Sequence, residues 1–227
     1  MSINYDGWEL NAFDKAFNFR IYQFEIILKY IKGNVAEIGP GTGQNIKYYS
    51  KSINKLHLYE PSKNLYLALK KKIKNSKIKT LNKKFKTNKN KFDTIMYLDV
   101  LEHIKNDKKE IDMALKSLKK NGNLIINVPA FQFLYSDFDK NVGHYRRYNK
   151  KNLMLLFKNK KYKKISFKYY DSFGFILSFL SKIFKSNFKN NFKQKIILWN
   201  FLIPYSKVLD KIIFNRFGKS LICIIQK

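Results

Sequence analysis

The sequence is short of acids, of cysteine and of histidine. Sixteen Asp and Glu stand against 46 Lys and Arg, giving a formal net charge of +30. An excess of that size suits nucleic acid or an anionic membrane. Here, however, lysine far outnumbers arginine and is spread along the whole chain, and Lys, Asn, Ile, Phe and Tyr are over-used together, as A/T-rich coding produces. Most of the charge is therefore expected on solvated faces, and nucleic acid is not the expected partner. A single cysteine, Cys223, excludes an intramolecular disulfide and suits a reducing compartment, so a cytoplasmic location is expected. Three histidines, His57, His103 and His144, with no ligand spacing among them, give no reason to expect a metal. No apolar run is long enough to span a bilayer as a helix. Residues 1–9 are polar, without the apolar segment of a signal peptide.

Glycine is also scarce, and three of the nine fall in one stretch, residues 35–43 (V-A-E-I-G-P-G-T-G). It reads as a buried strand, a tight loop and the start of a helix over residues 44–49. Glycine is needed where backbone turns with positive φ or where a ligand approaches too closely for a Cβ. A loop of this kind at the carboxyl end of a parallel strand is where open α/β sheets bind nucleotides. The third glycine comes one residue early for a dinucleotide fingerprint, and Gln44 stands where that fingerprint wants glycine. No Lys-Ser/Thr pair follows, which excludes a P-loop. Taken alone, the loop serves equally well as a plain strand-to-helix turn.

The rest of the chain alternates strands and helices. Residues 8–31 place Phe13, Phe17, Ile21, Phe24, Ile27, Leu28 and Ile31 at helical steps, for a helix either over the mouth of the site or on the sheet edge. Residues 55–60 form the second strand and end in Glu60, about 20 residues past the glycine loop, where an acid can accept hydrogen bonds from ribose hydroxyls. A helix over 65–73, short strand 78–81 and strand 92–98 follow. Helix 107–118, capped by Asp107 and ended by Gly122, leads to strand 123–128. Strands 163–171 and 220–226 complete the set. The alternation implies a parallel, doubly wound sheet.

Segments 37–43, Glu60-Pro61, 98–104 (L-D-V-L-E-H-I) and 118–129 (L-K-K-N-G-N-L-I-I-N-V-P) fall in the order and spacing of class I S-adenosylmethionine (SAM) methyltransferases, which the chain resembles. Residues 134–148 (L-Y-S-D-F-D-K-N-V-G-H-Y-R-R-Y) are similar to a bacterial subgroup with a D-x-x-x-G-H-x-R-R-Y signature, often linked to glycosyltransferases, and the likeness runs on through 200–210 and 218–227. The resemblance implies an α/β, Rossmann-like, seven-stranded sheet, six strands parallel and the last antiparallel, with a helical insertion before that last strand. It implies a single domain, 1–227: a helical cap (1–33), a SAM-binding core (34–171 and 218–227) and an insertion (172–217). It also implies SAM as cofactor, held by Glu37, Gly39, Pro40, Gly41, Gly43, Asn45, Glu60, Pro61, Asn82, Leu98, Asp99, Val100 and His103. Asn82 stands where many relatives carry an acid near the adenine, and its amide oxygen can accept in its place.

On the acceptor side, Asp139, Tyr145, Arg146, Arg147 and Tyr148 are the expected contacts, one arginine bracing the loop and the other facing substrate. His103 and His144 are the candidate bases, with Asp137 in reserve. The expected reaction is methyl transfer to an oxygen or nitrogen of a small-molecule, glycan or lipid-linked acceptor. An RNA methyltransferase and a non-catalytic nucleotide-binding relative are the alternatives. Two readings of the insertion stand side by side. Its apolar runs (172–184, then 196–203 and 208–214, split by Pro204) form either a structural cap or an interfacial lid. In the second, Lys182, Lys185, Lys189, Lys193 and Lys195 meet an anionic membrane surface, with the protein peripheral on its inner face.

Overall fold

A computed structural model describes residues 5, 7–49, 53–184 and 191–227. Strands β1 (Gly33–Ile38), β2 (Ile53–Tyr59), β3 (Ile78–Leu81), β4 (Phe92–Leu98), β5 (Leu118–Pro129), β6 (Lys164–Tyr170) and β7 (Ser220–Gln226) form one sheet in the order β3-β2-β1-β4-β5-β7-β6. β7 runs antiparallel to both of its neighbours and the other pairs are parallel, as expected for this α/β class. β4 is apolar almost throughout because it is covered on both faces, as central parallel strands are. One face is covered by α4 (Asp107–Ser117) and α6 (Lys150–Leu155), through Ile111, Ala114, Leu115 and Leu153. The other is covered by α2 (Phe17–Ile27), α3 (Lys63–Lys72) and α8 (Phe192–Ile212), through Phe19, Tyr22, Phe24, Leu69, Ile196, Trp199 and Ile203. Cys223 is buried in β7, where burial pushes its thiol well up.

Four local expectations need correction. The glycine loop does not open a helix; only a 3-10 turn forms, at Ile46–Tyr48. The side chains that would face outward from such a helix are drawn back instead: Asn45 and Tyr49 donate to Glu37 at 2.7 and 2.5 Å, and Gln44 donates to the Leu10 carbonyl at 2.8 Å. The N-terminal segment is not one helix but α1 (Leu10–Phe13) and α2, broken near Ala16. The break lets Phe13 turn towards Trp199 while α2 lies on the sheet. The helix before β5 is capped by Asn106, which accepts from the Lys109 amide at 3.0 Å, and it ends at Ser117, so Gly122 lies within β5.

The fourth correction concerns Pro204, which sits inside α8 without ending it. Proline removes one helical hydrogen bond and leaves the carbonyl four residues earlier unpaired. That carbonyl, on Asn200, accepts instead from the Asn18 side chain at 3.1 Å, and the Asn200 side chain accepts from the Phe19 amide at 3.2 Å. The defect in α8 is thus repaired by the start of α2. Between β6 and β7 lie α7 (Ser172–Ile183) and α8. They are tied to the sheet by Asp210, which accepts from the Asp171 and Ser172 amides and from the Tyr22 hydroxyl. Lys185 and Lys189 lie outside the described residues. No helix among the described residues is long and apolar enough to cross a membrane.

Candidate functional site

The carboxyl ends of β1, β2, β4 and β5 gather the expected residues on one edge. Gly39, Gly41 and Gly43 all have positive φ (65°, 56° and 80°), so L side chains there would be strained. A Cβ on Gly39 would also come within 2.8 Å of Val100, whereas one on Gly41 meets only Leu10, at 3.5 Å. The Pro40 carbonyl accepts from Gly43 and closes the loop. Glu37 is buried and its carboxylate is taken up by Asn45 and Tyr49, while burial raises its pKa. It shapes the loop from within.

Glu60, before Pro61, reaches across to the loop. Its carboxylate accepts from the Gly41 amide and from the Ser62 amide, both at 2.9 Å, and burial pushes its pKa up to about 7. Asn82 is exposed and donates to the Glu60 carbonyl at 2.9 Å, which leaves its amide oxygen open. The N-terminal segment crosses this edge: Tyr5 bonds Ser62 and Asn64, and its ring stands 5.6 Å from that of His103. Of the helix expected over residues 8–31, α2 packs on a face of the sheet. A cavity of about 350 Å³ adjoins Gly43, Gln44, Arg20, Phe13 and Phe17, beside the end of the loop.

Asp99, just past Leu98, has a left-handed backbone (φ 58°), a strained conformation of the kind that gathers at functional sites. Its carboxylate accepts from Asn127 at 2.5 Å and pairs with Arg20 at 3.2 Å. Arg20 comes from α2. Its Nε is buried without a hydrogen-bond partner. Sequence reasoning missed this arginine, since only the fold brings α2 to the end of β4.

His103 follows in the 3-10 turn Leu101–His103, and its ring lies edge-on to that of His144, centroids 4.6 Å apart. Burial and the neighbouring His144 push the His103 imidazole down to about 3, so it stays neutral. His144 is fixed by Asp139, whose carboxylate lies 2.7 Å from Nδ1. Arg147 and the hydrogen bond to His144 hold that carboxyl well below its usual range, against the pull of burial. An ionised carboxylate can only accept, so Nδ1 carries a proton, and in the neutral ring the lone pair lies on Nε2. Beside them Glu102 is fully buried, its Oε2 has no partner, and burial raises its pKa well above normal. Glu102, His103 and His144 place ligand-type atoms within 4.8 Å of one another, a grouping that could hold an ion and that their sequence spacing conceals.

The remaining residues of the 134–148 loop build the frame. Arg147 is buried and bidentate on Asp139, at 2.9 and 2.8 Å. Arg146 binds Asp107 of α4 at 2.6 Å and the Ile104 and Lys105 carbonyls. Both arginines brace the loop, where one had been expected to face substrate. Tyr148 is buried against Asp107, Tyr145 is exposed, and Asp137 is exposed in the first turn of α5 (Asp137–Asn141) while Asp139 makes the histidine contact. Trp8, Phe13, Phe138, Phe192 and Trp199 form a continuous aromatic cluster between the N-terminal segment, α5 and α8.

Comparison with known proteins agrees with this fold. The family described as "Methyltransferase domain" matches residues 15–173. A search of curated proteins gives no match. Among solved structures, phosphoethanolamine N-methyltransferase 2 of Haemonchus contortus in complex with S-adenosyl-L-methionine aligns with a TM-score of 0.63 at 15% identity, over 96% of this chain and 57% of its own. The same enzyme with phosphomonomethylethanolamine and S-adenosylhomocysteine gives 0.65 at 15% identity, over 98% and 58%. A SAM-dependent methyltransferase from Archaeoglobus fulgidus gives 0.61 at 12% identity, over 94% of each chain. The chain thus spans little more than half of the Haemonchus contortus enzyme, and at these identities the likeness is one of fold.

Proposed function

Because the chain belongs to the methyltransferase domain family, we propose that it transfers a methyl group from SAM to an oxygen or nitrogen of a small-molecule, glycan or lipid-linked acceptor. The observation that carries this reading is the meeting, on one sheet edge, of a three-glycine loop, a strand-end carboxylate and a pair of neutral-capable imidazoles. The residues fit the cofactor. The glycine loop leaves room at Gly41, Glu60 offers an acceptor to ribose hydroxyls, and Arg20 carries a buried unpartnered Nε suited to a carboxylate. When bound, SAM supplies a methyl group on a sulfonium leaving group.

The chain's own task is then positioning and proton handling. Asp99 and Arg20 hold the amino-acid end. His103, kept neutral, presents a lone pair that orients the acceptor's O–H or N–H. His144, its tautomer set by Asp139, accepts the proton at Nε2. With tritiated SAM and fractionated lipid and metabolite extracts, His144→Ala is expected to lower turnover about 10²- to 10⁴-fold with S-adenosylhomocysteine affinity unchanged. Equal loss of affinity and thermal stability would make His144 part of the brace alone.

A specific observation favours the lipid-linked branch. α7 exposes Ile176, Phe179, Leu180 and Ile183, and α8 exposes Ile197, Leu198, Phe201, Tyr205, Val208 and Ile212. These recur at helical steps along two adjoining helices whose opposite faces enter the core, and Lys182, Lys193, Lys195, Lys207 and Lys211 border them. Phe175 does not belong to this face: it packs with Phe131, Phe133 and Phe217. A strip of apolar side chains with lysine borders suits the surface of an anionic bilayer. Co-sedimentation with phosphatidylglycerol vesicles should keep a component at high salt that Phe179→Ser with Phe201→Ser removes. Binding that salt abolishes in full would return the strip to the role of a cap.

A further inference from the structure

We infer that Lys219 anchors an anionic, phosphate-type group of the acceptor at the carboxyl edge of the sheet, beside the face of Trp199. The inference rests on the methyl-transfer reading for what the acceptor undergoes, and on the following geometry for what it carries.

Lys219 joins the insertion to β7. Its amide donates to the Asp171 carbonyl at 2.9 Å and its carbonyl accepts from the Ala130 amide at 2.8 Å, which fixes it at the ends of β5 and β6, on the edge where His144 and Asp99 gather. The residue is half-buried, and its ammonium stands 4.2 Å from the centre of the Trp199 ring. Most lysines of this chain lie on solvated faces; this one faces inward. It is close enough to Asp171, Arg147, Asp139 and Asp99 to feel their charges.

Those carboxylates are already committed. Asp171 accepts from Trp199 Nε1 at 2.7 Å, from Gly174 and from Ser206. Asp139 is held by Arg147 and His144, and Asp99 by Arg20 and Asn127. Among the described residues, none forms a salt bridge with Lys219. A partly desolvated cation with no carboxylate in salt-bridge contact is incompletely compensated, and burial lowers the Lys219 pKa although the charge of Asp171 opposes it. An incoming anion completes that compensation. Lysine suits phosphate as a point charge, where the two loop arginines, already bidentate or braced, have no fork to offer.

Tryptophan fluorescence tests the anchor. The chain has two tryptophans, so Trp8→Phe leaves Trp199 as the only reporter, directly against the ammonium. In the presence of S-adenosylhomocysteine, titration with inorganic phosphate or with phosphatidylglycerol vesicles should change Trp199 emission saturably. Lys219→Met should weaken that response by roughly tenfold or more, Lys219→Arg should restore most of it, and Lys116→Met, on an exposed turn of α4, should not alter it. A response to inorganic phosphate assigns a soluble phosphorylated acceptor; a response to vesicles alone assigns a lipid phosphate. The same response in Lys219→Met as in its parent, or no saturable response to either probe, overturns the inference. Calorimetric binding of S-adenosylhomocysteine to each variant reports folding and separates the two claims. If the parent does not bind it, the methyl-transfer reading fails; if it binds and both probes fail, only the anchor does.

Discussion

Replacing Glu60 by Gln tests the most heavily loaded contact in the cofactor site. The Glu60 side chain is 3% exposed, and its carboxylate receives two backbone amides, one from the glycine loop. Burial nonetheless dominates and lifts its pKa from 4.5 to about 7. A carboxyl group with a raised folded pKa favours the fold while protonated. Its contribution is fully present below about pH 4.5 and is lost as pH rises through about 7. At about 1.4 kcal/mol per pKa unit, the loss is on the order of 3 kcal/mol. Glu60→Gln carries no charge, so this pH dependence disappears, at a constant cost of about 1–3 kcal/mol because the amide cannot accept both backbone donors well. Glu102, another buried carboxyl with a raised pKa, titrates alike in both proteins and cancels in the difference, whereas the repulsion between Glu60 and Glu37 disappears with the Glu60 charge and is part of the effect. Urea unfolding at pH 5 and pH 8 measures that difference: the variant, less stable at pH 5, should close the gap or overtake wild type at pH 8. A difference that stays flat across this range would refute the burial account of Glu60.

Asn18→Ala should leave the Asn200 carbonyl unpaired inside α8 and cost about 1–3 kcal/mol in denaturant unfolding; adding Pro204→Ala, which restores the helical donor, should recover much of it. Arg20→Ala should weaken S-adenosylhomocysteine by about 10- to 100-fold and leave 5′-methylthioadenosine, which lacks the carboxylate, nearly unchanged in competition binding. Equal losses for both ligands would show that Arg20 supports the fold around Asp99 and does not hold the amino-acid end.

The sheet was legible because its strands are short apolar runs bounded by glycine, proline and polar loops. Strands at 78–81, 92–98 and 220–226 lie where the pattern places them. Helix continuity was not, since it turned on contacts between distant segments. Pro204 reads as a break until Asn18 is seen to take the orphaned carbonyl, and residues 8–31 read as one helix until Phe13 is seen to turn towards α8. Within the site, local spacing located the glycine loop, Glu60, Asp99 and the two histidines. It could not show that Arg146 reaches α4, that Asp139 rather than Asp137 holds His144, or that Glu102 sits buried between them. Arg20 and Lys219 were hidden for opposite reasons. One is far in sequence from what it meets, and the other is a single inward-facing lysine among many that face solvent.

Calorimetric titration with S-adenosylhomocysteine and with NAD, on the wild type and on Gly41→Val, bears most directly on the central claim. Gly41 holds φ at 56°, and a Cβ added there would meet only Leu10, at 3.5 Å. Valine therefore strains the loop, by about 1–2 kcal/mol, and its Cβ makes only ordinary contact with Leu10. The account predicts one S-adenosylhomocysteine site per chain in wild type, none in a folded Gly41→Val, and no heat from NAD in either. Tight NAD binding with no S-adenosylhomocysteine heat would contradict it.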